Sequence, residues 1–138
     1  MTKQFHKSYL KFTAIFVGLF GPIFFLGTML ATSEPARLTL DLLSWPIDGL
    51  QNYDAPTTQF LSALTGGFLF GWGVCIWFLQ RMVYDSAPDG VRKSVLFGLI
   101  AWFLLDSAGS IASGNTPNVF FNVIVLLVAV GPLWKPAK

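Results

Sequence analysis

Four stretches of this chain carry almost no charge, and short polar runs rich in Gly, Pro, Asn and Asp divide them. A helix needs about 20 predominantly apolar residues to cross the roughly 30 Å hydrocarbon core of a bilayer. The first stretch, Phe12 to Ala31, has that length without a charged side chain. It predicts a spanning helix over about residues 9–32. The run exceeds the roughly 7–15 apolar residues of a signal-peptide core, so we read it as a retained span. Gly18, Gly21 and Pro22 within it predict a bend, because proline removes one helical hydrogen bond and crowds the preceding turn. Lys3, Lys7 and Lys11 precede the stretch at intervals of four and would share one helix face.

The connection from Ser33 to Thr58 has a pattern of its own. Arg37, Asp41, Ser44 and Asp48 recur at helical spacing, and Leu38, Leu42, Leu43, Trp45 and Ile47 fall on the other side. This predicts a short amphipathic helix over about 34–45, lying at the membrane interface. Ser33 is placed to cap it, and Glu34 suits the positive end of its dipole. Trp45-Pro46 ends it, and Asp48-Gly49, Asn52 and Asp54 to Pro56 are turn-forming.

A second spanning helix follows over about 59–83. Ala63, Gly67, Gly71 and Cys75 recur in it every four residues, a stripe of small side chains that lets another helix backbone come close. The polar link Tyr84 to Gly90 places Pro88 where it suits the first turn of a third helix, about 91–113. Between Ser113 and Pro117, Gly114 can end that helix, Asn115 or Thr116 can cap the next, and Pro117 can open it. The fourth helix then covers about 117–134, near the lower limit for a span. A link this short makes the third and fourth helices antiparallel neighbours. The pattern therefore predicts an all-α integral membrane protein, a four-transmembrane-helix bundle forming one membrane domain over residues 1–138.

Composition sharpens the picture. The chain is 54% hydrophobic and 12% charged, with a mean hydropathy of +0.61, too apolar for a soluble domain of this size. A net charge of +2 with no basic stripe argues against a nucleic-acid partner. The single cysteine excludes an internal disulfide. In a four-span arrangement Lys3, Lys7, Lys11, Arg81, Arg92, Lys93, Lys135 and Lys138 fall on one side and only Arg37 on the other. The positive-inside rule then puts both termini in the cytoplasm, and we expect a bacterial inner membrane.

Asp106 is the one ionisable residue well inside a predicted span, and an intramembrane charge is a functional hypothesis by default. Inserting it costs roughly 2.5–3.5 kcal/mol, so it must be neutralised, be hydrogen-bonded, face a hydrated cavity or meet a cation. Ser110 and Ser113 continue its face at i+4 and i+7, and Ser107 flanks it. Asn118 and Asn122 occupy the same end of the fourth helix, and Ser62 and Thr65 that end of the second. These residues predict an intramembrane polar cluster. Three roles are open to it: a knot fixing helix register, a proton or ion site, or a contact with another subunit. Arg37 is the candidate charge partner, if the amphipathic helix folds it down.

The chain has no Walker, GxSxG, HExxH or CxxC motif and only one histidine, so we expect neither enzymatic activity nor a metal site. His6, among lysines, reads as ordinary surface, and Cys75 as one more small residue of its stripe. No cofactor is expected, although a surface bearing 14 phenylalanines would suit a bound lipid, quinone or pigment. The expected partners are membrane lipids and a larger membrane complex or a second copy. The sequence thus points to a small non-enzymatic accessory or scaffold subunit that packs through the Gly67 stripe. The alternative is a small proton- or cation-coupled carrier using Asp106.

Overall fold

The computed structural model describes all 138 residues. Five α-helices account for most of them: α1 (Lys3–Leu26), α2 (Glu34–Ser44), α3 (Pro56–Phe78), α4 (Pro88–Ala112) and α5 (Pro117–Val130). There is no strand. A π-helical turn, Leu79–Val83, continues α3, and a 3₁₀ turn, Gly131–Trp134, continues α5. With these extensions the four long helices run 24, 28, 25 and 18 residues and are apolar enough to cross a membrane. At about 1.5 Å per residue they measure about 27–42 Å. They alternate in direction, so one end of the bundle gathers both termini and the α3–α4 link. The other end holds α2, its flanking loops and the α4–α5 link.

Helix ends follow local chemistry. The Thr2 hydroxyl accepts from Phe5 N at 3.2 Å and caps α1, which therefore starts at Lys3 and takes in the lysine-rich flank. It passes through Pro22 and closes at Gly27, several residues short of the expected end near 32. A Cβ at Gly27 would lie 2.6 Å from the Tyr53 ring and 2.9 Å from Ala36 Cβ. The chain stops being helical where α2 and its loop press against it. Pro56, Pro88 and Pro117 each stand at the first helical position, where the missing N–H breaks no helical hydrogen bond. Ser33 occupies the N-cap position of α2 but does not cap it. Its backbone is already in the right-handed helical region after the turn Leu30–Thr32, and its hydroxyl donates back to Leu30 O at 3.0 Å.

The tightest packing is between α1 and α3, which run antiparallel. Leu10, Ala14, Val17, Gly21 and Phe24 are buried on α1, and Ser62, Gly66, Gly73 and Ile76 on α3, with Gln80 continuing the face. Their spacings alternate mainly between four and three residues, the 3.5-residue period that keeps one seam facing a neighbour. Here the seam is lined with glycine. A Cβ at Gly73 would lie 2.6 Å from Gly18 Cα, and one at Gly66 would lie 2.8 Å from Gly21 O. The two backbones themselves are in contact, which is how small residues turn close approach into dispersion energy.

The stripe Ala63, Gly67, Gly71 and Cys75 lies outside this seam. Nothing lies within 4 Å of a Cβ built at Gly67 or Gly71, and Cys75 is exposed. At 3.6 residues per turn the stripe winds across the side of α3 roughly opposite α1. Gly66 and Gly73, seven apart, make the internal contact instead.

The main core lies at the terminus end. Leu10, Ala14 and Val17 of α1 meet Ile76, Tyr84, Val91, Val95 and Leu99, together with Ala129, Val130 and Leu133. Polar contacts stitch the same end. Lys7 pairs with Asp85 at 2.5 Å, Thr13 Oγ1 donates to Ala129 O at 2.8 Å, and the Arg92 guanidinium donates to Leu133 O at 2.9 Å. The far end is thinner, with only Phe24, Ala36 and Tyr53 forming a second buried group. Less apolar surface is shared there, and the helices diverge around a cavity.

Candidate functional site

The C-terminal turns of α4 carry Asp106, Ser107, Ser110 and Ser113. Gly114, at φ +79°, turns the chain out of the helix, and Gly114 N donates to Ile111 O at 3.1 Å and Asn115 N to Ser110 O at 2.8 Å. This pair of bonds satisfies the last carbonyls of α4 and reverses the chain within a few residues. Pro117 then starts α5 at once, so Asn118 and Asn122, one turn apart, fall opposite Asp106.

Both asparagines bond to the same carboxylate oxygen. Asn118 Nδ2 donates to Asp106 Oδ2 at 3.0 Å and to Ser110 Oγ at 2.9 Å. Asn122 Nδ2 donates to Asp106 Oδ2 at 2.6 Å and to Ser107 Oγ at 3.2 Å. Ser110 Oγ donates to Asp106 O at 2.8 Å, and Ser113 Oγ to Ser110 O at 3.1 Å. Asn122, Ser107 and Ser110 are buried and Asp106 is half-buried. All four amide hydrogens of the two asparagines are thereby used inside the cluster. No protein donor reaches Asp106 Oδ1, and Asn118 Oδ1 is buried with no partner. A buried acceptor left so costs on the order of 1–3 kcal/mol.

Asp106 stands on the wall of a cavity of about 580 Å³ between α1 and α3 on one side and α4 and α5 on the other. Apolar side chains dominate its lining, among them Phe20, Phe24, Leu61, Phe68, Trp72 and Trp102. Trp72 lies against Gly98, with Cζ2 3.6 Å from where a Cβ would stand. That contact closes the space toward the terminus end. On the other flank of α4 a smaller hollow of about 450 Å³ also reaches Asp106, between Trp102, Leu105, Gly109, Ser110 and Ser113.

The remaining predicted site residues are not part of the hydrogen-bonded cluster. Ser62 and Thr65 line the opposite wall of the cavity. Ser62 Oγ donates to Phe24 O at 2.6 Å and lies 3.4 Å from Tyr53 Oη, which ties α3 to α1. Arg37 is not the partner of Asp106. Its guanidinium binds Glu34 at 2.6 and 2.9 Å, one helical turn away on α2. That hydrogen bond holds the Glu34 carboxyl below its ordinary value and raises Arg37. Pairing within α2 requires no reorganisation, whereas reaching Asp106 would draw the guanidinium off its carboxylate. Asp41, expected on the polar face of α2, is buried and accepts from Gly49 N at 2.9 Å and Asp48 N at 3.3 Å, folding the following loop back.

His6 is a further correction, since it is fully buried and neither ring nitrogen has a partner. α1 packs against the turns Leu79–Val83 and Gly131–Trp134. Its register with Leu10, Thr13 and Val17, at intervals of four, three and four, was the available signal. The cavity was not visible in the sequence, because it depends on how far α3 and α4 diverge. No three His, Cys, Asp or Glu side chains converge anywhere in the chain.

The architecture is thus an all-helical chain with four helices of membrane-crossing length and a polar cluster on the wall of an apolar cavity. No protein-family model, curated protein or solved structure matches it.

Proposed function

We propose that this chain is a four-span membrane protein, with both termini on the cytoplasmic side of a bacterial inner membrane, and that it acts without catalysis as a packing subunit. On this reading α3 seats a helix of a larger membrane complex, or of a second copy, on its Gly67 stripe. Large apolar side chains exposed along the long helices, such as Ile15, Leu19, Phe60, Leu105 and Leu127, support the bilayer setting, because a soluble protein rarely exposes so much contiguous apolar surface. Leu38, Leu42, Trp45 and Ile47 of α2 and its loop are exposed as well, which suits a helix lying on the far membrane surface.

The observation that carries the packing role is the contrast between glycines of one helix. Gly66 and Gly73 are filled by α1, and Gly67 and Gly71 face open space. Intrahelical need does not account for glycine there, since glycine costs about 1 kcal/mol against alanine in a helix, whereas a docking helix does. Gly71→Leu should abolish association in native gels of mild-detergent extracts while the isolated bundle stays folded. Unchanged migration would count against the reading.

A second reading, a small proton- or cation-coupled carrier, is favoured by one feature: Asp106 borders both the large cavity and the hollow behind it. Asp106→Asn should then abolish uptake or proton coupling in proteoliposomes. Normal transport by that variant would remove Asp106 from the mechanism.

A further inference from the structure

We propose that the cavity between α3 and α4 binds a lipophilic primary or secondary ammonium compound, with its N–H bonds on Asp106 and its apolar body between the aromatic walls. The cluster's own bonding sets the polarity of the head. Asn118 and Asn122 spend all four amide hydrogens on Asp106 Oδ2, Ser110 and Ser107. What remains open there is an acceptor: Asp106 lines the cavity, and both asparagines bond only its Oδ2, which leaves Oδ1 free. A ligand satisfies it only by bringing a hydrogen.

Charge narrows the class. Asp106 is the one carboxyl lining the cavity, and no Lys, Arg or His lines it. A protonated amine complements that wall, and an anionic head meets no counter-charge. The same argument disfavours a phospholipid, whose ammonium would bring a phosphate with no basic residue to receive it. Trp72, Trp102, Phe68 and Tyr53 add faces that attract a cation and cover an apolar body. The volume, about 580 Å³, falls in the roughly 300–1,000 Å³ range of small-molecule pockets. The site requires neither a partner on α3 nor transport, so its failure leaves those readings standing and theirs leaves it.

The test uses the full chain in nanodiscs of phosphatidylcholine, with uptake of radiolabelled decylamine above that of empty nanodiscs as the readout. Decylamine should bind saturably. Decyltrimethylammonium, which has the charge but no N–H, and decanol, which has a hydroxyl but no charge, should each bind at least tenfold more weakly. Asp106→Asn should lose at least tenfold in decylamine affinity. Thr65→Trp, on the opposite wall and outside the hydrogen-bonded cluster, should block the probe even if Asp106→Asn fails to fold. Equal binding of the three probes, or unchanged decylamine binding by Thr65→Trp, would overturn the proposal. So would phosphatidylethanolamine nanodiscs that eliminate decylamine binding, because the lipid headgroup would then be the ligand.

Discussion

At the scale of single residues, Gly131 shows how one position joins two helices. It ends α5 at φ +40° and ψ −116°, a backbone conformation that side chains with a Cβ rarely adopt. A Cβ there would also collide with the Tyr9 ring, whose hydroxyl donates to Val128 O. Gly131→Ala should therefore destabilise the bundle by about 1–3 kcal/mol through backbone strain, with an added cost from displacing Tyr9. Thermal unfolding in detergent separates the two parts. In a Tyr9→Ala background the glycine substitution should cost less than in the parent, and an equal cost would assign the whole effect to the backbone. Sequence alone placed Gly131 beside Pro132 near the end of a span and carried no trace of Tyr9, which lies far away in the chain. The Asp106 cluster was easier to read, because the short α4–α5 link fixes which helix faces which. Arg37 was misread for the complementary reason: a nearer carboxylate, Glu34, takes its guanidinium.

Among the helices, α3 presents two glycine rows that hydropathy cannot tell apart. Four-residue spacing draws the eye to Gly67 and Gly71, but the antiparallel seam with α1 follows the 3.5-residue period through Gly66 and Gly73. Which row faces inward depends on the rotation of α3, and that is settled by what α1 offers: Gly18 and Gly21 stand opposite. Gly73→Ala should lower stability by about 1–3 kcal/mol, since its methyl would fall 2.6 Å from Gly18 Cα and 2.7 Å from Ala14 O, and backbone there must move. Gly71→Ala should leave the isolated chain as stable as the parent or raise its stability by up to about 1 kcal/mol, because its methyl enters open space and alanine is the better helix former. Unfolding midpoints of the two variants in the same detergent decide it, and equal losses would contradict the assigned rotation. The positions of the long helices were legible because charge-free length is a local property. Their ends were less so: α1 slid toward the N-terminus because Thr2 caps it and Gly27 is wedged against α2 and its loop, contacts that no local pattern encodes.

The whole molecule is electrically polarised along the bundle. Eight basic and two acidic residues belong to the terminus end, and one basic and five acidic residues, Asp106 included, belong to the other half. Ion pairs such as Lys7 with Asp85 and Arg92 with Asp89 form at the terminus end. They do not alter the orientation argument, which counts Lys and Arg near span ends and gives acidic residues little weight. The proposed orientation, with the terminus end in the cytoplasm, turns the far loops outward. In a Cys75→Ala background, Leu50→Cys should react with a membrane-impermeant maleimide in intact spheroplasts, since Leu50 is 77% exposed in the far loop. Lys138→Cys should react only after lysis. Cys75 itself lies about 12 Å along the helix from Val83, at about 1.5 Å per residue, and should resist labelling until detergent replaces lipid. Labelling of Lys138→Cys from outside would reverse the orientation. Labelling of Cys75 in intact membranes would remove α3 from the hydrocarbon and, with it, the cavity's apolar surroundings.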